Sequence, residues 1–306
     1  MRVVSLLPSA TEIVAALGGM EHLVGVTHAC DHPAMVASRV RVTRTAVDAY
    51  AAPGVVDAQV REITHEGLPL YTLLEDRIRA LHPDLILTQA LCEVCAVMET
   101  DVRALAARLA PEPRVVSLSA SSFDGVLADI AAVGAAMGLD DESDELLGGA
   151  RARLRAVHDA LKAANAPRPR VCVIEWGEPL YAAGHWVPEM VARAGGVDAL
   201  AKPGEHSVVV TLDQVRAAEP DVIVVAPCGY DLERAADEGE RLLALPGWAW
   251  ARDRRVFALD ANAFASRPGP RLVDGIEVMA RIFHPSLFTP AEPAFARALT
   301  PAARTT

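Results

Sequence analysis

Two stretches of this 306-residue chain follow one plan. RALHPDLILTQALC (79–92) and RAAEPDVIVVAPCG (216–229) each run from a helix end through Pro-Asp into a buried strand, then a loop carrying a cysteine. Three further pairs keep the same order in both halves: RVVSLLPS (2–9) answers RVCVIEWG (170–177), AALGGMEHLVGV (15–26) answers ARAGGVDAL (192–200), and RVVSLSASSF (114–123) answers RVFALDANAF (255–264). A repeat preserved in order confines the chain to two similar lobes.

Within each half, short Val/Ile/Leu-rich runs alternate with longer stretches of helical period, as expected for parallel strands covered by helices on both faces. SATEIVAALGG (9–19) reads as a helix with Ser9 and Glu12 as a capping box and Gly18-Gly19 as its stop. Between the halves, DDESDELLGGARARLRAVHDALKAAN (140–165) starts acidic and turns basic, which suits the helix dipole and a rigid connector. The expected fold is therefore α/β, two Rossmann-like lobes with parallel sheets joined by one long spanning helix. The boundaries fall at 1–139, 140–166 and 167–306.

A net charge of -11 argues against a nucleic-acid partner, and the arginines of RARLR (151–155) are interleaved with acids. No window approaches the roughly 18 uninterrupted apolar residues of a membrane span. MRVVSLLPS reads as a strand entering a loop and not as a secretory signal, so the expected location is cytoplasmic, or periplasmic or extracellular if a signal peptide precedes Met1. Five cysteines at irregular spacing fit reduced thiols.

Open parallel sheets bind ligands beyond the carboxyl ends of their strands. In the first lobe those positions hold Pro8 and Ser9; Thr27, His28 and Cys30; Gln89, Cys92 and Cys95; and Ser119 with Ser121. In the second they hold Trp176, Glu178, Tyr181, His185 and Trp186; Pro227, Cys228 and Tyr230; and Asn262, Phe264 and Arg267. His28, Cys30, Cys92 and Cys95 carry four open readings. They are a protein-ligated zinc or iron site, a Cys-x-x-Cys redox pair, a soft axial ligand to the metal of a bound chelate, or small buried residues of a tight loop. Cys172 lies inside an apolar strand and reads as core. Trp176 and Trp186 are candidates either to stack on a macrocycle or to cap a core. Arg267 is placed to pair with a ligand carboxylate or amide, and Trp248 and Trp250 are expected to pack the last helix. No Gly-x-Ser-x-Gly elbow, phosphate loop or Gly-x-Gly-x-x-Gly turn is present, which leaves an enzyme reading without support.

RVVSLLPSATEIVAALG, LVGVTHACDHP, HPDLILTQALCEVCAV and RPGPRLVDGIEVMARI together resemble the cobalamin-binding branch of the class III substrate-binding proteins of ABC transporters. Relatives of that branch bind iron siderophores and heme. The resemblance spans residues 1–285. It implies a metal chelate, cobalamin or a related corrinoid, held in the cleft between two lobes with little hinge motion and no catalytic step. Trp176, Tyr181 and Trp186 would supply the aromatic packing, and acidic residues such as Glu66 and Glu205 would dock an ABC permease. The expected function is chelate binding for ABC-type uptake or intracellular handling. The alternative is a cytoplasmic metal-ion-binding protein or metalloenzyme using His28, Cys30, Cys92 and Cys95.

Overall fold

The computed structural model describes residues 1–90, 97–289 and 291–300. It divides into two compact units, residues 1–120 with 124–149, and residues 121–123 with 150–306.

The strands of the first unit are β1 (Val3–Ser5), β2 (Leu23–Val26), β3 (Val40–Arg41), β4 (Thr43–Thr45), β5 (Tyr71–Leu73), β6 (Leu85–Gln89) and β7 (Arg114–Leu118). Five of them form one parallel sheet in the order β3-β2-β1-β6-β7, while β4 and β5 make a separate antiparallel ribbon. The near-continuous apolar strands have a simple cause: both faces are covered. Val3, Leu85 and Leu87 join Ile13, Val14, Ile130 and Val133 of the helices Pro8–Ala16 and Phe123–Met137. Val4 and Ile86 join Ile78, Val102 and Leu105 of the helices Glu75–Ala80 and Glu99–Ala106 on the other side. The sheet winds one way from β1 to β3 and the other from β6 to β7, so Ser5 and Gln89, at the carboxyl ends of β1 and β6, flank its switch point.

The first helix corrects an expectation. It starts at Pro8 with Leu7 as N-cap and no side-chain cap, and Ser9 and Glu12 are buried inside it, so they form no capping box. Proline is suited to the first helical turn because it lacks the N–H that would be orphaned there; Leu7, buried in the core, fixes the turn that precedes it. Gly18 follows the helix at φ 75, the left-handed geometry that glycine adopts without strain.

The second unit contains β8 (Arg170–Gly177), β9 (Leu180–Ala182), β10 (Val197–Asp198), β11 (Val208–Val209), β12 (Val222–Val225), β13 (Arg255–Leu259) and β14 (Ala296–Ala298). Their order is β11-β9-β8-β12-β13-β14, with β10 also on β8. Strands β10, β8, β12 and β13 run parallel, whereas β9 pairs antiparallel with both β8 and β11, and β14 pairs antiparallel with β13. The sheet is thus mixed where a purely parallel one is expected. Only Glu178 and Pro179 separate β8 from β9, and a connection that short can make a hairpin but no crossover. Cys172, Ile174, Ile223 and Val225 pack with Leu242 and Val256. Trp248 and Trp250 lie on the 3-10 segment Pro246–Asp253, stacked at 6.2 Å, and pack against that cluster, which holds no residue of the last helix, Leu272–Phe283.

A 24-residue helix, Asp140–Ala163, runs unbroken through the boundary between the units. Asp140, Asp141 and Glu142 occupy its first turn and Lys162 its last, each sign complementing the dipole. Arg153 forks from its second half to Asp274 (2.5 Å) and Glu277 (2.8 Å) on the helix Leu272–Phe283. Among the described residues no helix is long and apolar enough to cross a membrane.

Candidate functional site

At the carboxyl end of β2 the chain turns through Thr27–Cys30, and Arg41 Nη1 clamps the turn by donating to the carbonyls of Thr27 (2.8 Å) and Cys30 (2.7 Å). Cys30 is 2 % exposed, its Sγ 3.1 Å from Thr11 Oγ1 and 3.2 Å from Thr27 Oγ1. The thiol therefore belongs to the core. His28 turns elsewhere: its Nδ1 lies 2.8 Å from Thr43 Oγ1 and its ring stacks on Tyr71 at 5.6 Å, so the β4–β5 ribbon positions it. Burial, with the Arg41 guanidinium second, holds His28 below the ordinary imidazole value. It is neutral at neutral pH, the state able to offer a lone pair.

Cys92 and Cys95 lie outside the described residues, and among the described residues no group of three or more His, Cys, Asp and Glu is placed to hold a metal ion. Ser9 is buried, Pro8 and Gln89 are half-buried, and Ser119 is exposed. Asp129 accepts the backbone N–H groups of Ala120 (3.1 Å) and Ser119, which secures the loop after β7.

In the second unit, Trp176 on β8 stands opposite Tyr181 on β9, and both are half-buried. The Trp176 indole donates to the Glu178 carbonyl at 3.1 Å and meets Tyr230 edge-on at 5.6 Å. Tyr230 in turn lies under the Arg234 guanidinium, 3.8 Å from the ring centre. Asn262 ties two loops together: its Nδ2 donates to Gly229 O (3.1 Å) and its backbone N–H to Tyr230 O (3.1 Å). The carboxyl ends of β8, β12 and β13 thus form one connected edge carrying Trp176, Cys228, Tyr230 and Asn262, of which Cys228 is exposed. Pro227 and Phe264 are buried behind it. Arg267 is half-buried and, with Arg271, offsets part of the rise that burial imposes on Asp260.

Trp186 is placed differently from Trp176. It is 6 % exposed and its indole donates to Ala265 O at 2.7 Å, so it fills the core instead of presenting a ring. His185, the preceding residue, is half-buried at φ 54, a left-handed conformation costly for a residue with a Cβ. Its Nε2 lies 3.1 Å from His206 Nδ1. Sequence reasoning missed His206 and also Glu175, which accepts a hydrogen bond from Ser207 and whose carboxyl burial pushes up. A glutamate inside the apolar run VCVIEWG is the signal that marks Glu175; His206 has none, because its partner lies 21 residues away.

Residues 3–263 match the family described as Periplasmic binding protein. The chain belongs to that family. The uncharacterized ABC transporter substrate-binding lipoprotein YvrC of Bacillus subtilis (strain 168) is 25 % identical over 295 residues, covering 94 % of this chain and 81 % of that protein. The crystal structure of a periplasmic heme binding protein from Pseudomonas aeruginosa has a TM-score of 0.71 at 25 % identity and covers 97 % of each chain. The periplasmic vitamin B12 binding protein BtuF of Vibrio cholerae has a TM-score of 0.63 at 23 % identity, covering 92 % of this chain and 96 % of that one, and shares the fold. This periplasmic binding protein is a substrate-binding protein of the ABC-transporter type, with a small-molecule ligand and a permease as partners, and not an enzyme. The expected two-lobed α/β fold stands. The expected cytoplasmic location finds no support in such a family.

Proposed function

We propose that this periplasmic binding protein captures a macrocyclic metal chelate, cobalamin or a related corrinoid, outside the cytoplasm and delivers it to an ABC permease. The observation that carries the reading is the half-buried cross-strand pair Trp176 and Tyr181 at the carboxyl edge of the second sheet, aromatic surface with polar tips backed by buried Tyr230, which meets Trp176 edge-on. The first unit would contribute Pro8, Ser9, Thr27, His28, Gln89 and Ser119 from its own strand ends, and the second Trp176, Tyr181, His185 and Arg267. The neutral His28 and His185 imidazoles suit an axial position of cobalt or iron. Trp186 and Cys30, both buried, would act by supporting these neighbours. Exposed Glu66, just past the helix Pro53–His65, and exposed Glu205 are the acidic groups offered to the permease.

Heme is the second reading, favoured by the likeness to the Pseudomonas heme-binding structure. Bare zinc or iron on His28, Cys30, Cys92 and Cys95 is disfavoured because the Cys30 thiol is committed to Thr11 and Thr27. Thermal unfolding with hydroxocobalamin, hemin or zinc in separate samples distinguishes the three. A ligand at about 100 times its Kd adds about 2.7 kcal/mol of stability. A rise with hydroxocobalamin supports the corrinoid reading, one with hemin alone transfers it to heme, and a rise with zinc alone overturns chelate binding.

A further inference from the structure

One face of the helix Leu232–Ala244 is set against the end of β8. Arg234, Glu238 and Arg241 stand at the four- and three-residue spacing that places side chains on a single helix face. Arg234 covers the ring of Tyr230 at 3.8 Å, and Tyr230 meets Trp176 edge-on. Further along, Arg241 grips the buried Glu238 carboxylate through Nε (2.7 Å) and Nη2 (2.8 Å), while its Nη1 lies 3.7 Å from Glu178 Oε2. The backbone of Gly177 rests directly on that carboxylate, because Glu238 Oε1 occupies the place a Cβ would take. The next residue, Glu178, supplies the carbonyl that accepts the Trp176 indole N–H at 3.1 Å.

From this geometry we infer that Arg241 is a positioning residue for Trp176: it fixes the indole through Glu238 and the turn at Gly177-Glu178, and is not itself a ligand contact. The inference rests on the reading of Trp176 as part of the chelate site. A half-buried ring keeps one rotamer when its polar tip and an edge are both occupied. Tyr230 holds the edge, and the Glu178 carbonyl holds the tip. That carbonyl belongs to a two-residue connection whose own side chain is exposed, and an exposed ion pair adds little restraint. The firm element is the buried one. A guanidinium bound to a carboxylate by two hydrogen bonds has a fixed geometry, which a lysine ammonium, a single point charge, does not reproduce. Loosening that grip leaves a buried carboxylate drawn toward water, and Gly177, which lies on it, moves with the carbonyl that holds Trp176.

The test is fluorine NMR of the full chain labelled with 5-fluorotryptophan, joined to an absorbance titration with hydroxocobalamin. The four tryptophans give four resonances, and that of Trp176 is the one lost in Trp176→Phe. In Arg241→Lys, which keeps a cation beside Glu238, the Trp176 resonance should shift and gain a larger solvent isotope effect, while those of Trp186, Trp248 and Trp250 hold. Glu238→Gln with Arg241→Met removes both charges together and serves the same measurement where the lysine variant fails to fold. Hydroxocobalamin affinity should fall by up to about tenfold, the effect of losing the ring itself. In a Trp176→Ala background Arg241→Lys should lower it no further, since the two residues act as one unit. An unmoved Trp176 resonance, or a loss of affinity that adds in full to that of Trp176→Ala, would overturn the assignment. A parent chain that binds no hydroxocobalamin defeats the corrinoid reading alone, because the fluorine signal decides the positioning without a ligand.

Discussion

Gly177 lies so close to Glu238 that a Cβ at position 177 would occupy the space of the Glu238 carboxylate. That carboxylate is 3 % exposed and held by Arg241 through two hydrogen bonds of 2.7 and 2.8 Å. The absence of a side chain between Trp176 and Glu178 is therefore what lets the end of β8 pack on the helix Leu232–Ala244.

Gly177→Ala should destabilise by about 1–3 kcal/mol, the usual cost of overpacking. Gly148→Ala is the opposite case: it lies within the helix Asp140–Ala163 with open space around it, and should stabilise by up to about 1 kcal/mol. Urea unfolding of the two variants checks both signs; equal effects would contradict the packing described.

The two tryptophans separate stability from binding. Trp186→Ala removes a core ring and leaves the Ala265 carbonyl without its donor, and should cost about 3–5 kcal/mol. Trp176→Ala removes a half-buried ring with its edge contact to Tyr230 and its bond to the Glu178 carbonyl, and should cost clearly less stability than Trp186→Ala. On the proposed function it lowers chelate affinity about tenfold, the effect of losing about 1.4 kcal/mol of ring contact. Calorimetric melting beside a chelate titration separates the roles.

The repeated strand-and-loop plan made the two lobes legible, because doubly covered strands must be apolar along their length. The strand-end rule likewise led to Trp176, Tyr181 and His185. What escaped depended on contacts distant in sequence. Trp186 and Trp176 look alike until Ala265, 79 residues away, accepts the Trp186 indole proton. Cys30 resembles a metal ligand beside His28 until Thr11 takes up its thiol. The hairpin at Glu178-Pro179 lacks the Asn-Gly or Asp-Gly pair that marks a tight turn, so β9 was not legible as an antiparallel neighbour.

Asp198 gives a pH dependence of definite sign. Burial pushes its carboxyl up to about 6 from 3.8, although its Oδ1 accepts from Leu200 N (3.0 Å) and Ala201 N (2.9 Å). The folded state binds this proton more tightly than the unfolded chain. Its stabilising contribution is therefore full below about 4 and is lost as pH rises through about 6. Asp198→Asn keeps an acceptor without the buried charge. Its stability relative to the parent should rise by about 2 kcal/mol between pH 4 and 7. Urea midpoints across that range check it; parallel profiles would contradict it.

The most direct test of the central claim is an absorbance titration of hydroxocobalamin with the purified, reduced, metal-stripped full chain, with hemin in a parallel sample. The expected result is a saturable shift of the corrin bands at about one equivalent, weakened about tenfold in Trp176→Ala. No spectral change with either macrocycle, at concentrations where the protein remains folded, would contradict chelate binding.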